Sequence, residues 1–226
     1  MNIKYNKQKQ ELRDDPVIDG LLKTKELIGK HNSAFIGTLV IILVIAALAI
    51  GYNYFKNSRI RKAREEFGKA MVTYGEQKFT DAIDQFRSVA ENFRGSVTGT
   101  TSAYMLGSIL FQQGRYDEAI TWYEAVNKSG TAGFIGAQAY EGLAACYEVR
   151  KDTANAIKYL DKAIADDRIA HRHGALRFKK ALLTRNSSPD QALVLCDAII
   201  SDTLANGQHQ DAEFLKALLI STTVKE

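Results

Sequence analysis

Four alanines, Ala82, Ala119, Ala156 and Ala192, stand 37, 37 and 36 residues apart, and each opens the same short pattern. Four residues later comes Phe86, Tyr123, Leu160 or Cys196, and three further on Val89, Val126, Ala163 or Ile199. Twelve residues before the alanine lies Ala70, Gly107 or Ala144, small again; in the fourth copy Lys180 stands there, with Ala181 beside it. Steps of three and four put such residues on one face of a helix. Small residues at a fixed spacing on two consecutive helices let the backbones approach closely, while the larger residue after each wedges into the next pair. A chain with this period folds as stacked helix-turn-helix units. Other stripes agree, as in Ala103, Leu106, Leu110 and in Ala139, Leu143, Cys146, Tyr147, and the chain has only two prolines, Pro16 and Pro189. The expected fold class is all-α.

The strongest copy, Leu106-Gly107, Leu110, Gly114, Tyr116, Ala119, Tyr123 and Val126, resembles the tetratricopeptide repeat (TPR) family, and Leu143, Ala144, Tyr147, Ala156, Leu160 and Ala163 carry most of the same pattern. The resemblance covers roughly residues 62 to 200, about four repeats, with the apolar side Ala212, Leu215 and Leu219 of Asp211–Leu219 forming a capping helix. It departs from the family in two ways: the proline usual at the end of a repeat is absent, and the period exceeds the usual 34 or so. The resemblance implies binding along a concave face made by the first helix of each pair. That face should present Phe67, Met71, Tyr74, Tyr104, Ser108, Phe111, Gln138, Glu141, Glu148, Arg177 and Arg185, apolar in its first half and charged in its second. Aromatic rings and Met suit extended or helical protein segments, although the same rings could equally pack between neighbouring helices. Family members that clamp a carboxyl-terminal peptide need Lys and Asn on this face, where Phe67 and Met71 stand here, so that mechanism is not expected.

Before the repeats lies AFIGTLVIILVIAALAIG, Ala34 to Gly51, inside an uncharged stretch from Asn32 to Phe55. At about 1.5 Å per residue it is long enough to cross a hydrocarbon core of about 30 Å. Apolar all round, it would otherwise need a covering layer that the one-sided stripes elsewhere do not supply. A signal peptide would have a shorter leader and a shorter apolar core, and with no Cys directly after the run a lipoprotein anchor is not expected. The reading is a single transmembrane helix at residues 32–55, between an N-terminal tail at 1–31 and a solenoid domain at 56–226. Asp15-Pro16 opens a short tail helix, whose Val17, Ile18, Leu21, Leu22, Leu27 and Ile28 form one apolar side.

Charge bears on orientation and partners. The chain has 30 Lys and Arg against 26 Asp and Glu. The excess sits in the tail and in a collar after the span, Lys56, Arg59, Arg61, Lys62, Arg64 and Lys69, so it reads as an anchor for anionic lipid headgroups over residues 32–64 and not as a nucleic-acid surface. Tyr52, Tyr54 and Phe55 stand where an aromatic belt would. The collar alone favours a cytoplasmic domain, but long domains translocate largely regardless of charge while the tail would carry seven cations across. The expectation is therefore tail inside and repeats outside.

This layout of tail, single span and short repeat array is similar to the YfgM-like ancillary subunits of the bacterial SecYEG translocon. That resemblance is architectural and rests on no signature motif. It implies an inner-membrane protein with periplasmic repeats whose partners are translocon subunits, exported clients or chaperones. The alternative is a cytosol-facing membrane receptor or assembly scaffold. No catalysis, cofactor, metal or small-molecule substrate is expected: there is no phosphate-cradling glycine loop or nucleophile elbow. Gly130, Gly133 and Gly136 read as an inter-repeat loop, His171 and His173 as an exposed loop with no third ligand nearby, and His209 as part of a polar loop. Cys146 and Cys196 fall on apolar stripes as small hydrophobes.

Overall fold

The computed structural model describes residues 32–223, so the expected tail helix at Val17–Ile28 lies outside the described residues. Among these there are nine α-helices, two short 3-10 segments and no strand. Helix α1 spans Asn32–Gly75. The chain divides into two units that meet between Ser58 and Arg59. In the first, every side chain from Ile36 to Phe55 is exposed. The helix from Ile36 is long and apolar enough to cross a membrane, with a mean hydropathy of 2.3 in its most apolar stretch and none of that stretch buried.

From Arg59 onward the pattern on α1 changes from all-round to one-sided. Ala63 and Ala70 are buried, with Phe67 and Tyr74 packed beside them, the i, i+4, i+7 stripe of a helix facing one partner. That partner is α2, Phe79–Asn92. Three more hairpins follow: α3 and α4 (Val97–Gln112, Tyr116–Lys128), α5 and α6 (Gly133–Val149, Thr153–Ile164), and α7 and α8 (His173–Thr184, Pro189–Ile200). Helix α9, His209–Thr223, closes the stack with Ala212, Leu215 and Leu219 buried, the side expected of the capping helix.

The turn inside each of the first three hairpins repeats to the residue. Gln77, Gly114 and Lys151, 37 apart, all adopt positive φ (61°, 76° and 59°). Each donates its N–H three residues back, and the next residue donates five back: Lys78 to Thr73, Arg115 to Leu110, Asp152 to Tyr147. This pair of bonds satisfies the last carbonyls of a helix and needs one left-handed residue. The fourth turn is built on Thr184, whose carbonyl accepts from both Ser187 and Ser188. It is one residue shorter, which explains the last alanine spacing and corrects the register read from sequence. The small residue of the fourth repeat is Ala181, fully buried, while Lys180 reaches across to Asp161 at 2.5 Å.

The alanines and their wedges behave as the spacing demands. Ala82, Ala119, Ala156 and Ala192 are fully buried, as are Phe86, Leu160 and Cys196, with Tyr123 nearly so. Tyr123 shows the constraint most directly. A Cβ at Gly107 on α3 would stand 3.0 Å from its ring, and one at Gly142 on α5 would stand 2.5 Å from its Cζ. The ring of α4 is gripped between the first helices of two successive hairpins, and its hydroxyl donates to Ser108 Oγ at 3.2 Å.

Links between hairpins take three forms, one of them the irregular stretch 129–132. Ser96 caps α3, its Oγ accepting from Gly99 N at 3.0 Å, and a Cβ on Gly99 would meet Phe93 O at 2.3 Å, so only glycine fits there. The later links are 3-10 segments, Asp167–Arg172 and Thr203–Gln208. Three loop expectations change as a result. Gly133 opens α5 and Gly136 is buried in its first turn; His173 is the buried first residue of α7; and His209 opens α9. Both histidines place Nε2 against the carbonyl seven residues back, Asp166 O at 3.1 Å and Asp202 O at 2.9 Å, an anchoring that the apolar stripes do not display.

Two measurements test this packing. Gly142→Ala should destabilise the domain by about 1–3 kcal/mol in urea unfolding because the Tyr123 ring must move, and most of that cost should vanish in a Tyr123→Leu background. Gly114→Ala should cost about 1–2 kcal/mol, whereas Lys151→Gly, which relieves the same conformation, should leave stability unchanged or raised by no more than about 1 kcal/mol.

Candidate protein-binding face

Most of the residues expected on the groove fall into rows along the first helices. Phe67, Tyr104 and Glu141 occupy one register at intervals of 37, continued by Phe178; Tyr74, Phe111, Glu148 and Arg185 occupy another; Met71 and Ser108 share a third, continued by Ala145 and Leu182. Phe178, Ala145 and Leu182 were missed by motif matching, and extending each row by the repeat period would have found them. Gln138 and Arg177 stand off these rows, both half-buried.

The rings of the apolar half are shared between a face and a core. Phe67 meets Phe86 edge-on at 5.7 Å, Tyr74 meets Phe79 at 5.7 Å, Tyr104 meets Tyr123 at 5.8 Å and Phe111 meets Tyr116 at 5.4 Å. Each of the four is half-buried and packs on a ring of its own hairpin's second helix or of the turn leading into it. Such edge contacts contribute about 0.5–1.5 kcal/mol beyond burial. Met71 is exposed, and Ser108 donates to Tyr104 O while accepting from Tyr123.

The charged half is tied together by ion pairs between neighbouring hairpins. Glu141 pairs with Arg172 and Glu148 with Lys179, both at 2.7 Å, joining α5 to α7 and its approach. Within the fourth hairpin Arg177 pairs with Asp202, just past α8, at 2.7 Å, the most shielded of the three. A hydrogen bond from Leu204 N, then the Arg177 guanidinium, holds the Asp202 carboxyl below the usual range. Arg150, just past α5, pairs with Asp117 of α4 on the exterior. Arg185 is exposed at the end of α7.

Of the basic collar, Arg59 donates to Asn92 O at 2.9 Å and lies over the Phe93 ring at 6.0 Å, so it belongs to the fold. Lys62 and Lys69 pair with Glu66 and Glu65 along the helix.

Reactive chemistry is muted. Burial pushes the Tyr123 hydroxyl up to about 12 and the Cys146 thiol up to about 11, and raises the Cys196 thiol as well. Both cysteines are free and buried, in separate core clusters. Among the described residues no group of three or more His, Cys, Asp or Glu could hold a metal ion.

Residues 67–132 match the tetratricopeptide repeat family. The match covers the first two hairpins, and the later hairpins continue the same TPR-like arrangement. No curated relative matches the chain in sequence. Among solved structures the fold is shared with YrrB, a TPR protein with an unusual peptide-binding site, at a TM-score of 0.54 and 16% identity over 70% of this chain and 76% of that one. It is shared also with MamA, at 0.53 and 17% identity over 72% and 88%. The TPR stack is a protein-interaction module.

Because its ring lies on Tyr123, Tyr104→Ser should lower the melting temperature by several degrees, whereas Met71→Ser should leave stability within about 0.5 kcal/mol. Equal melting temperatures for the two variants, measured by circular dichroism, would mean that the rings serve the face alone.

Proposed function

We propose that the chain is a non-enzymatic, membrane-anchored interaction module of the bacterial inner membrane. In this reading residues 32–55 span the bilayer, the tail at 1–31 lies in the cytoplasm and the TPR domain at 56–226 lies in the periplasm. There it serves the Sec translocon and proteins emerging from it. The observation that carries the reading is the junction within one chain of a helix whose apolar surface no described residue covers and a repeat stack with no reactive centre among its described residues. An uncovered apolar helix of this length is costly in water and stable in a bilayer. The architectural similarity to the YfgM-like translocon subunits supplies the partner, and the peptide-binding site of YrrB supports a segment of a client protein as the ligand.

Within the stack the proposed contact is the row of first-helix residues, with Met71 and the open edges of Phe67, Tyr74, Tyr104 and Phe111 taking apolar segments and Glu141, Glu148, Arg177 and Arg185 setting polar limits beside them. Rings already held by a neighbour lose little freedom on binding, which favours affinity without strict sequence demands. The collar favours the opposite orientation and with it a cytosol-facing receptor.

A reporter active only outside the cytoplasm, fused after Glu226, should be active. Activity only from a cytoplasmic reporter would reverse the topology and establish the receptor reading instead.

A further inference from the structure

Helix α9 repeats α7 in its anchoring. A shift of 36 residues carries the Asp166–His173 contact onto Asp202–His209, the Asx turn of Asp166 to Arg168 N onto that of Asp202 to Leu204 N, and the Lys180–Asp161 ion pair onto Lys216–Asp197 at the same 2.5 Å. By this geometry α9 is the first helix of a fifth repeat.

Its outward residues agree. The row Phe67, Tyr104, Glu141 and Phe178 continues at Phe214, and the small-residue row Ala70, Gly107, Ala144 and Ala181 continues at Ala217. In the earlier hairpins these positions receive the second helix: Phe67 packs on Phe86, Tyr104 on Tyr123, and Phe178 and Ala181 on the cluster of Ala192, Cys196 and Ile199 from α8. On α9 Phe214 is 73% exposed, with Ala217 and Leu218 exposed beside it. On the earlier first helices a large ring beside a small residue is the surface that the second helix covers, and among the described residues no helix covers it on α9.

We propose that this face takes an amphipathic helix from another polypeptide, which closes the fifth hairpin as α8 closes the fourth. The surface lies at the end of the stack and does not depend on the groove proposed above. The pattern of α2 and α4 sets the chemistry of the partner: a small residue, a large or aromatic one four later and an aliphatic one three beyond that. Charge adds a further requirement. Arg177 on α7 pairs with Asp202, just past the end of α8; its counterpart on α9 is Glu213, exposed, so the partner should carry Lys or Arg just beyond its last apolar turn. One side of a 15-residue helix falls well short of the roughly 800 Å² per partner of a stable dimer, so a helix laid in the groove is favoured over a second folded copy.

The test uses the full chain in lipid nanodiscs carrying Ala217→Cys, with Cys146 and Cys196 protected by burial. A copy of Arg115–Ser129 is appended after Glu226 through a flexible linker; it has the required pattern in Ala119, Tyr123 and Val126 and carries Lys128 next to its end. Maleimide labelling of the introduced thiol should slow at least tenfold relative to the unappended chain, because the tether raises the local helix concentration. Phe214→Ser, or replacing the appended helix's tyrosine with serine, should restore the rate. An unchanged rate overturns the proposal. So does labelling of the unappended chain that slows as its own concentration rises, since a second copy would then be the occupant.

Discussion

Close approach of helix backbones is the constraint on which the rest of this structure depends. Gly107 and Gly142 bring α3 and α5 so near the Tyr123 ring that neither could carry a methyl group without displacing it. Everything else is arranged around such contacts: fully buried alanines set the distance within hairpins, and left-handed turn residues bring the chain back at the matching height in the first three. Interiors this dense transmit small volume changes, which is why the small residues recur more strictly than the large ones. Phe, Tyr, Leu and Cys all occupy the wedge position, but the position four before it is always alanine.

The same geometry divides labour between burial and charge. The ion pairs joining α5 to α7, and α6 and α8 to the helices that follow them, lie mostly at partly exposed sites, where each contributes at most about 1 kcal/mol. Their regularity matters more than their strength. Lys180 and Lys216 select one register for each incoming first helix and so guard the period against the slippage that a purely apolar contact would tolerate.

Much of this was legible in the sequence because the repeat is written in residue size. Ala82, Ala119, Ala156 and Ala192 give the hairpin count, and the one-sided stripe of Ala212, Leu215 and Leu219 gives the last helix. Three things were not legible, for identifiable reasons. Gly142 lies off the register of the small residues, so nothing in the spacing marks its contact with Tyr123. The register of Lys180 and Ala181 depends on a turn one residue shorter than the others, and a fixed period cannot reveal a deletion inside a turn. The burial of His173 follows from a carbonyl seven residues back, a contact that recurs only at Asp202 and His209 and lies outside the three- and four-residue steps of the apolar stripes. The groove rings are a subtler case: position told that Phe67 and Tyr104 sit on first helices, but both the open face and the second helix lie within reach of a side chain that long, and sequence does not distinguish an edge-on contact with Phe86 or a tilted one with Tyr123 from full exposure.

The interior of the stack is not one continuous core. One cluster runs from Ala70 to Leu176, and another, from Ala181 to Leu219, lies at the far end. In a solenoid each unit is stabilised by itself and by its neighbours alone, so a break between clusters is a weak link in cooperativity. Helices α8 and α9 should therefore open more readily than α2 to α6, which amide exchange would register as lower protection at that end. A stack of this kind can yield at one end without losing its grip at the other.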